Sequence, residues 1–396
     1  MGEINFFPNN LEVKGKKIIL RLDFNVPLKD KKIEDDTRII LCLPFIEELI
    51  KKKAKIIIIS HLGRPRGVRD PELSLIPIYK YLKNFLKTNV FFFMGNFDDE
   101  ITDKFSHLNE GEIILIENIR YFKEETDDDE NFSKKLGALC DIYVNDAFSC
   151  CHRKQASIHK ITNYVENCYA GPLLKKEIEA IDLVIKNKKE PITCIIGGSK
   201  ISTKINVILN LIRNVNNLII VGAMANNFFM YKNFKVGRSL IEKNTKEVIS
   251  EIYKIADENN CEILIPKDCV VGSDFNGDGK DKYLNEIEDN EMILDIGPNT
   301  INDIEKKIDE SNTVLWNGPA GYFENENFLN GTLSIAKIIS RNTKKKSLIS
   351  ILGGGDTIAA INKSKNKLSF THLSTAGGAF LEYLEGKDLP GLSVLK

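Results

Sequence analysis

The sequence predicts an α/β protein built from two doubly wound, parallel-sheet, Rossmann-like domains joined by a hinge helix. Three observations carry that prediction. Short, nearly uninterrupted β-branched runs recur at 18–20, 56–59, 113–116, 142–144, 194–196, 218–221, 263–265, 314–316 and 348–352. Helix-length amphipathic segments separate most of them, and strands that are apolar at every position belong in parallel sheets covered on both faces. The 396 residues also exceed one ordinary core, so two or three domains are expected.

Between the two sets of runs, Gly171 and Pro172 open a charged amphipathic segment, 173–188, that ends before Pro191. It is the expected linking helix. The predicted organisation is a first domain over 1–170, a hinge over 171–190 and a second domain over 191–380.

Composition narrows the function. Lys and Arg total 55 against 56 Asp and Glu, a formal charge of −1, so no basic field exists to hold nucleic acid. Residues 1–10 lack a basic stretch followed by an apolar core, and the longest apolar runs are strand-sized. Neither export nor a membrane span is expected, and the expected location is cytoplasmic. Eight cysteines at no zinc-like spacing read as reduced thiols.

Arginine and glycine are unevenly placed. Seven of ten arginines precede residue 154, whereas 18 of 26 glycines follow residue 190. The first half therefore favours a bidentate anion, and the second suits close backbone approach.

In open parallel sheets, ligands bind beyond the carboxyl ends of strands. After 18–20 come Arg21, Asp23 and Asn25, alternate residues that a continued strand would place on one face, with Arg38 a short loop further on. The run 56–59 leads to His61 and Arg64, 113–116 to Arg120, and 142–144 to Arg153. Arginines gathered at one sheet edge repel unless an anion joins them, and a forked guanidinium suits phosphate or carboxylate. Arg66 and Arg69 are expected to stay solvated.

The second half has neither a P-loop nor a dinucleotide fingerprint. Instead the run 194–196 meets Gly197, Gly198, Lys200 and Lys204, followed by apolar residues at helical spacing. This pattern predicts strand, glycine turn and helix, with both lysines in the first turn beside an anion. Gly353, Gly354, Gly355, Asp356 and Thr357 form a second glycine loop, and one carboxylate plus phosphate oxygens is a usual provision for Mg²⁺. Gly377 and Gly378 start another helix, while Asn317 and Glu324 flank the turn after Trp316. Asp274, Asn276 and Asp278 imitate a calcium loop, but its twelfth position is Asn285 rather than glutamate.

Taken together, segments 21–27, 60–65, 117–120, 146–157, 197–205, 316–324, 353–357 and 372–378 closely resemble the phosphoglycerate kinase family. Segments 222–228, 264–271 and 295–298 agree further, so the resemblance spans both halves and fits one whole enzyme. It implies reversible phosphoryl transfer between MgATP and 3-phosphoglycerate, giving ADP and 1,3-bisphosphoglycerate, by a monomer.

By the same resemblance, Asp23, Asn25, Arg38, His61, Arg64, Arg120 and Arg153 hold the phosphoglycerate, with Arg21 counted among them and bracing the cluster. Gly197, Gly198, Lys204, Gly222, Asn317, Glu324, Gly355 and Thr357 serve the nucleotide, and Asp356 serves both it and its magnesium. Arg38, Lys200, Gly377 and Gly378 are the candidate catalytic groups. The tail, about 381–396, is expected to return to the first domain.

Gln155, Ser199, Ala223 and Ala376 depart from the common family pattern, and a methyl at 376 requires negative φ there. Two rival readings use the same features. A catalytically silent nucleotide or phosphate sensor is opposed by Arg38, Lys200 and Asp356. A kinase for another small acid would keep the glycine loops and alter the arginine cradle.

Overall fold

The computed structural model describes residues 3–97, 101 and 105–396. The chain divides into two compact units, one of Met1–Ile178 with Asp388–Lys396 and one of Glu179–Lys387. The helix Pro172–Ile185 carries the chain from one to the other.

The first unit holds a six-stranded parallel sheet: β1 (Lys17–Arg21), β2 (Lys55–Ile59), β3 (Val90–Phe93), β4 (Ile113–Ile116), β5 (Ile142–Asn145) and β6 (Asn167–Ala170). Their order is β3-β4-β2-β1-β5-β6. Ile19 faces both Ile57 and Tyr143 in register. From β1 the chain winds first towards β3 and then crosses to β5, so the switch point lies beside the carboxyl end of β1. Ile18, Leu20, Ile56 and Ile58 pack with Ile39, Leu43, Ile46 and Leu49 of helix Thr37–Lys51 on one face of the sheet, and Ile19 and Ile57, on the other face, are buried as well. Of the tail expected to return, residues 388–396 join this unit and 381–387 stay with the second; Leu395 accepts from the Asn5 amide at 2.7 Å and Cys151 from the Gly391 amide at 2.9 Å.

The second unit repeats the plan with β7 (Ile192–Ile196), β8 (Asn217–Ile220), β9 (Glu262–Leu264), β13 (Thr313–Asn317), β14 (Ile349–Gly353) and β15 (His372–Ser374), ordered β9-β8-β7-β13-β14-β15. All neighbours are parallel. Its switch point lies between β7 and β13. Trp316, Ile195, Val314 and Leu352 form part of its core, and the indole donates to the Gly318 carbonyl at 2.7 Å.

Several elements escape the sequence pattern. An antiparallel sheet of β10 (Asp268–Gly272), β11 (Lys280–Tyr283) and β12 (Met292–Ile296) is inserted in the second unit. A two-stranded hairpin, Leu28–Lys29 with Lys32–Ile33, follows β1. The loop at Asp274–Asp278 connects β10 to β11. No helix among the described residues is long and apolar enough to cross a membrane, and all eight cysteines are free.

Candidate active site

Strand β1 stops at Arg21, so Asp23 and Asn25 lie in the following loop rather than on a continued strand face. Asp23 still organises the cluster. Its Oδ2 accepts from Arg38 Nη1 at 2.8 Å and from the Ser149 hydroxyl, and its Oδ1 from the Asn25 amide at 3.0 Å. Burial raises its carboxyl pKa, but Arg38, His61 and these hydrogen bonds outweigh that and hold it below its ordinary value. Asn25 accepts from the Gly63 amide at 2.9 Å, and the Gly63 carbonyl accepts from Arg120 at 2.9 Å. The ends of β1, β2 and β4 are thereby tied into one polar floor.

Charge is crowded there. Arg120 is buried, and its Nε has no partner among the described residues. Burial first, then Arg21 and Arg153, depress its pKa to about 10 against the opposing pull of Cys150. An anion relieves both deficits by accepting from the guanidinium and offsetting neighbouring charge. Gln155 accepts from Arg120 at 3.4 Å, so this departure from the family pattern lies within the cluster. Arg64 is exposed, whereas Arg153 is half-buried and donates to His152 Nε2 at 3.0 Å. Arg69, expected to be solvated, is exposed but anchored on the Met94 carbonyl at 3.0 Å.

Two residues need closer definition. Arg21 is fully buried and lies beneath the cluster, the bracing position expected of it. His61 is buried as well, and burial, with Arg21, Arg120 and Arg38, holds its pKa well below the ordinary value against the pull of Asp23. Its ring is neutral at pH 7.

In the second unit, the glycine turns converge at the switch point. A Cβ on Gly197 would lie 2.2 Å from the Pro319 carbonyl oxygen, and one on Gly318 would lie 2.2 Å from that of Gly197. Side chains are excluded because the loops after β7 and β13 touch backbone to backbone. Lys204 reaches into this turn, donating to the Gly197 carbonyl at 2.7 Å and to Asn317 Oδ1 at 2.6 Å. Burial lowers its pKa to about 8, although Cys194 and Asp356 oppose the shift.

The helix after β7 begins at Ile205, with Lys204 as its N-cap residue. The two lysines therefore do not share a first helical turn, as the spacing suggested. Residues 201–204 form a turn instead, closed by the Lys204 amide on the Ile201 carbonyl at 2.8 Å, and Lys200 is exposed.

Asn317 and Thr357 are buried and committed within the fold. Asn317 donates to the Gly353 carbonyl, while the Thr357 hydroxyl accepts from the Gly318 amide and donates to the Gly353 carbonyl. They hold the loops in place.

Beside the turns lies a cavity of about 360 Å³, with Gly198, Gly222, Glu324 and Asp356 among polar and backbone groups and Leu240, Leu294 and Tyr322 among apolar walls. Asp356 sits in the first turn of helix Gly355–Asn362 and is exposed. Among the described residues no three acidic, histidine or cysteine side chains gather as a metal cage. A divalent ion fits here only through Asp356 and phosphate oxygens, the sparse protein ligation usual for Mg²⁺. Gly377 takes φ 49° at the start of helix Gly378–Leu384, whereas Ala376 is not among the residues with positive φ, so its methyl is accommodated.

Spacing did not identify Ser149, Ser157 or Glu125 as parts of the first cluster. Glu125 stands in the polar stretch 123–130, which reads as a solvated surface, yet it is fully buried.

Comparisons with known proteins agree across the chain. The model of the family described as phosphoglycerate kinase matches residues 9–387. The phosphoglycerate kinase of Wolbachia pipientis wMel is 43% identical over 390 residues, 98% of this chain and 97% of that protein. The one from Dictyoglomus turgidum is 42% identical, covering 97% and 96% respectively. Among solved structures, phosphoglycerate kinase from Coxiella burnetii matches with a TM-score of 0.88 at 37% identity, covering 98% and 97%. That from Pyrococcus horikoshii OT3 matches at 0.81 and 28%, covering 98% of each chain.

Proposed function

The chain belongs to the phosphoglycerate kinase family, and from that premise we propose how its two clusters divide the work. The enzyme is a phosphotransferase with a carboxyl acceptor: it moves a phosphoryl group reversibly between MgATP and 3-phosphoglycerate, yielding ADP and 1,3-bisphosphoglycerate. The first unit binds the phosphoglycerate through Asp23, Asn25, Arg38, His61, Arg64, Arg120 and Arg153, with Arg21 beneath them. The second binds the nucleotide through the amides of Gly197, Gly198, Gly222 and Gly355, Lys204, Glu324 and Asp356, with Asn317 and Thr357 bracing the loops. The crowded, incompletely partnered Arg120 is the observation that carries this reading, because it calls for an anion.

The acceptor carboxylate is already ionised at neutral pH, so no general base is required. One of its oxygens bonds to the γ-phosphorus as the bond to the β-phosphate oxygen breaks. Positioning and charge neutralisation then carry the rate. Arg38 and Lys200 supply charge at the transferring group, and the Gly377 and Gly378 amides donate to its oxygens. Mg²⁺ at Asp356, when bound, neutralises phosphate charge. An acyl phosphate hydrolyses readily, so transfer requires the two units to close over the substrates and exclude water. Helix Pro172–Ile185 and the return at 387–388 are where such a motion must pass. The functional form is a monomer.

A coupled ATP-consumption assay with 3-phosphoglycerate, beside its non-phosphorylated analogue and an Arg38→Ala variant, tests this assignment. Turnover should require both the phosphorylated acid and Arg38. Equal rates in all three arms would refute it.

A further inference from the structure

A buried chain of hydrogen bonds runs beneath the arginine cluster. Glu125 Oε1 accepts from the Ser157 hydroxyl at 2.7 Å, and its Oε2 accepts from the Ser157 amide at 2.8 Å. With its proton given to Glu125, the hydroxyl presents a lone pair to Arg21, whose Nε donates to it at 3.0 Å. Arg21 Nη2 lies 3.3 Å from His61 Nδ1. Glu125, Ser157 and Arg21 are all fully buried.

This chain has a direction. A guanidinium only donates, so the ring nitrogen facing it must present its lone pair. Asp23 Oδ1 stands 3.9 Å from Nδ1 and is out of hydrogen-bond range, and the Cys150 thiol, 3.8 Å from Nδ1, can donate to the same lone pair. His61, neutral in this setting, then carries its proton on Nε2. We propose that Glu125 is a positioning residue: through Ser157 and Arg21 it holds His61 in the Nε2–H tautomer, making that ring a hydrogen-bond donor to 3-phosphoglycerate. The inference deepens the substrate assignment above and rests on it.

The alternative is that Glu125 merely neutralises Arg21 inside the core. The two roles separate on substitution. In Glu125→Gln the amide oxygen must face the Ser157 amide, because that N–H cannot turn. The amide NH₂ then donates to the Ser157 hydroxyl, which loses the acceptor of its own proton and with it the orientation that presents a fixed lone pair to Arg21 Nε. Ser157→Ala removes the link while leaving Glu125 and Arg21 themselves in place. Freed from Arg21, His61 should move its proton to Nδ1, towards Asp23.

The test is nitrogen NMR of ¹⁵N-histidine-labelled full-length protein, with His61 assigned by its loss in His61→Gln, together with steady-state kinetics. Wild type should show a protonated Nε2 and a bare Nδ1. Both chain variants should shift His61 towards the Nδ1–H form and raise KM for 3-phosphoglycerate about tenfold, the value of one charge-assisted hydrogen bond. KM for MgATP should not change. A wild-type ring protonated on Nδ1 overturns the proposal without any variant, and so does an unchanged tautomer and KM in Ser157→Ala. Arg38→Ala isolates the parent assignment. If it leaves KM for 3-phosphoglycerate unchanged, the substrate site itself is wrong. If it raises that KM while Ser157→Ala does not, only the positioning chain fails.

Discussion

Lys204 carries a charge that its surroundings oppose. Burial holds its pKa near 8 instead of 10.5, so between those values the unfolded chain binds a proton the folded one has released. Its contribution to stability therefore rises as pH climbs through that window. Nucleotide phosphates reverse the balance by favouring the ammonium. ADP should bind with proton uptake near pH 8 and weaken above it, by up to about tenfold per pH unit, in calorimetric titrations. Lys204→Arg, which stays charged, should flatten the profile. Lys204 was legible in the sequence because it follows a strand and two glycines, but its pKa depends on burial, which local pattern does not show, and then on Cys194 and the sequence-distant Asp356. Glu125 was not legible, since burial of a carboxylate within a run of acids leaves no mark in local pattern.

At the scale of elements, the glycine loops offer a sharper contrast than their shared composition suggests. Gly197→Ala places a methyl against backbone that cannot withdraw, so a loss of about 2–4 kcal/mol is expected in thermal or urea unfolding. Gly355→Ala meets nothing within 4 Å and lies in a helical first turn. It should gain about 0.5–1 kcal/mol while weakening ADP binding, because in the proposed nucleotide site the methyl stands where a phosphate approaches.

Helix caps add a second test. Asp146 Oδ1 accepts from the Leu174 amide at 2.8 Å, capping the helix Pro172–Ile185 that links the units, and burial raises its pKa to about 7. Between about pH 4 and 7 the folded chain retains a proton the unfolded chain has lost, so this group's stabilisation falls as pH rises. Asp146→Asn should flatten that part of the melting-temperature profile. The β-branched strands announced themselves as uninterrupted apolar runs. The edge strand β6 (Asn167–Ala170) and the inserted antiparallel sheet did not, because Asn167, Lys280 and Asp281 are exposed polar residues. The lysine turn was misread as helix because apolar spacing beyond 205 does not reveal where the first hydrogen bond closes.

For the whole molecule, the opposite skews of arginine and glycine were the most informative feature of the sequence, as each reports what one carboxyl edge must hold. Charge gathers where β1, β2, β4 and β5 end, and bare backbone gathers where β7, β13 and β14 end. The connection between the units was legible only as an amphipathic segment after Gly171 and Pro172, since a hinge has no periodicity of its own. Substrates together should compact the protein in solution scattering more than either does alone. The most direct measurement is calorimetric binding of 3-phosphoglycerate and of ADP to Arg38→Ala and to Lys204→Ala. The account predicts a clean exchange: the first variant loses affinity for the acid and keeps it for the nucleotide, and the second does the reverse. Loss of nucleotide affinity in Arg38→Ala, or of acid affinity in a folded Lys204→Ala, would contradict the division of labour between the two units.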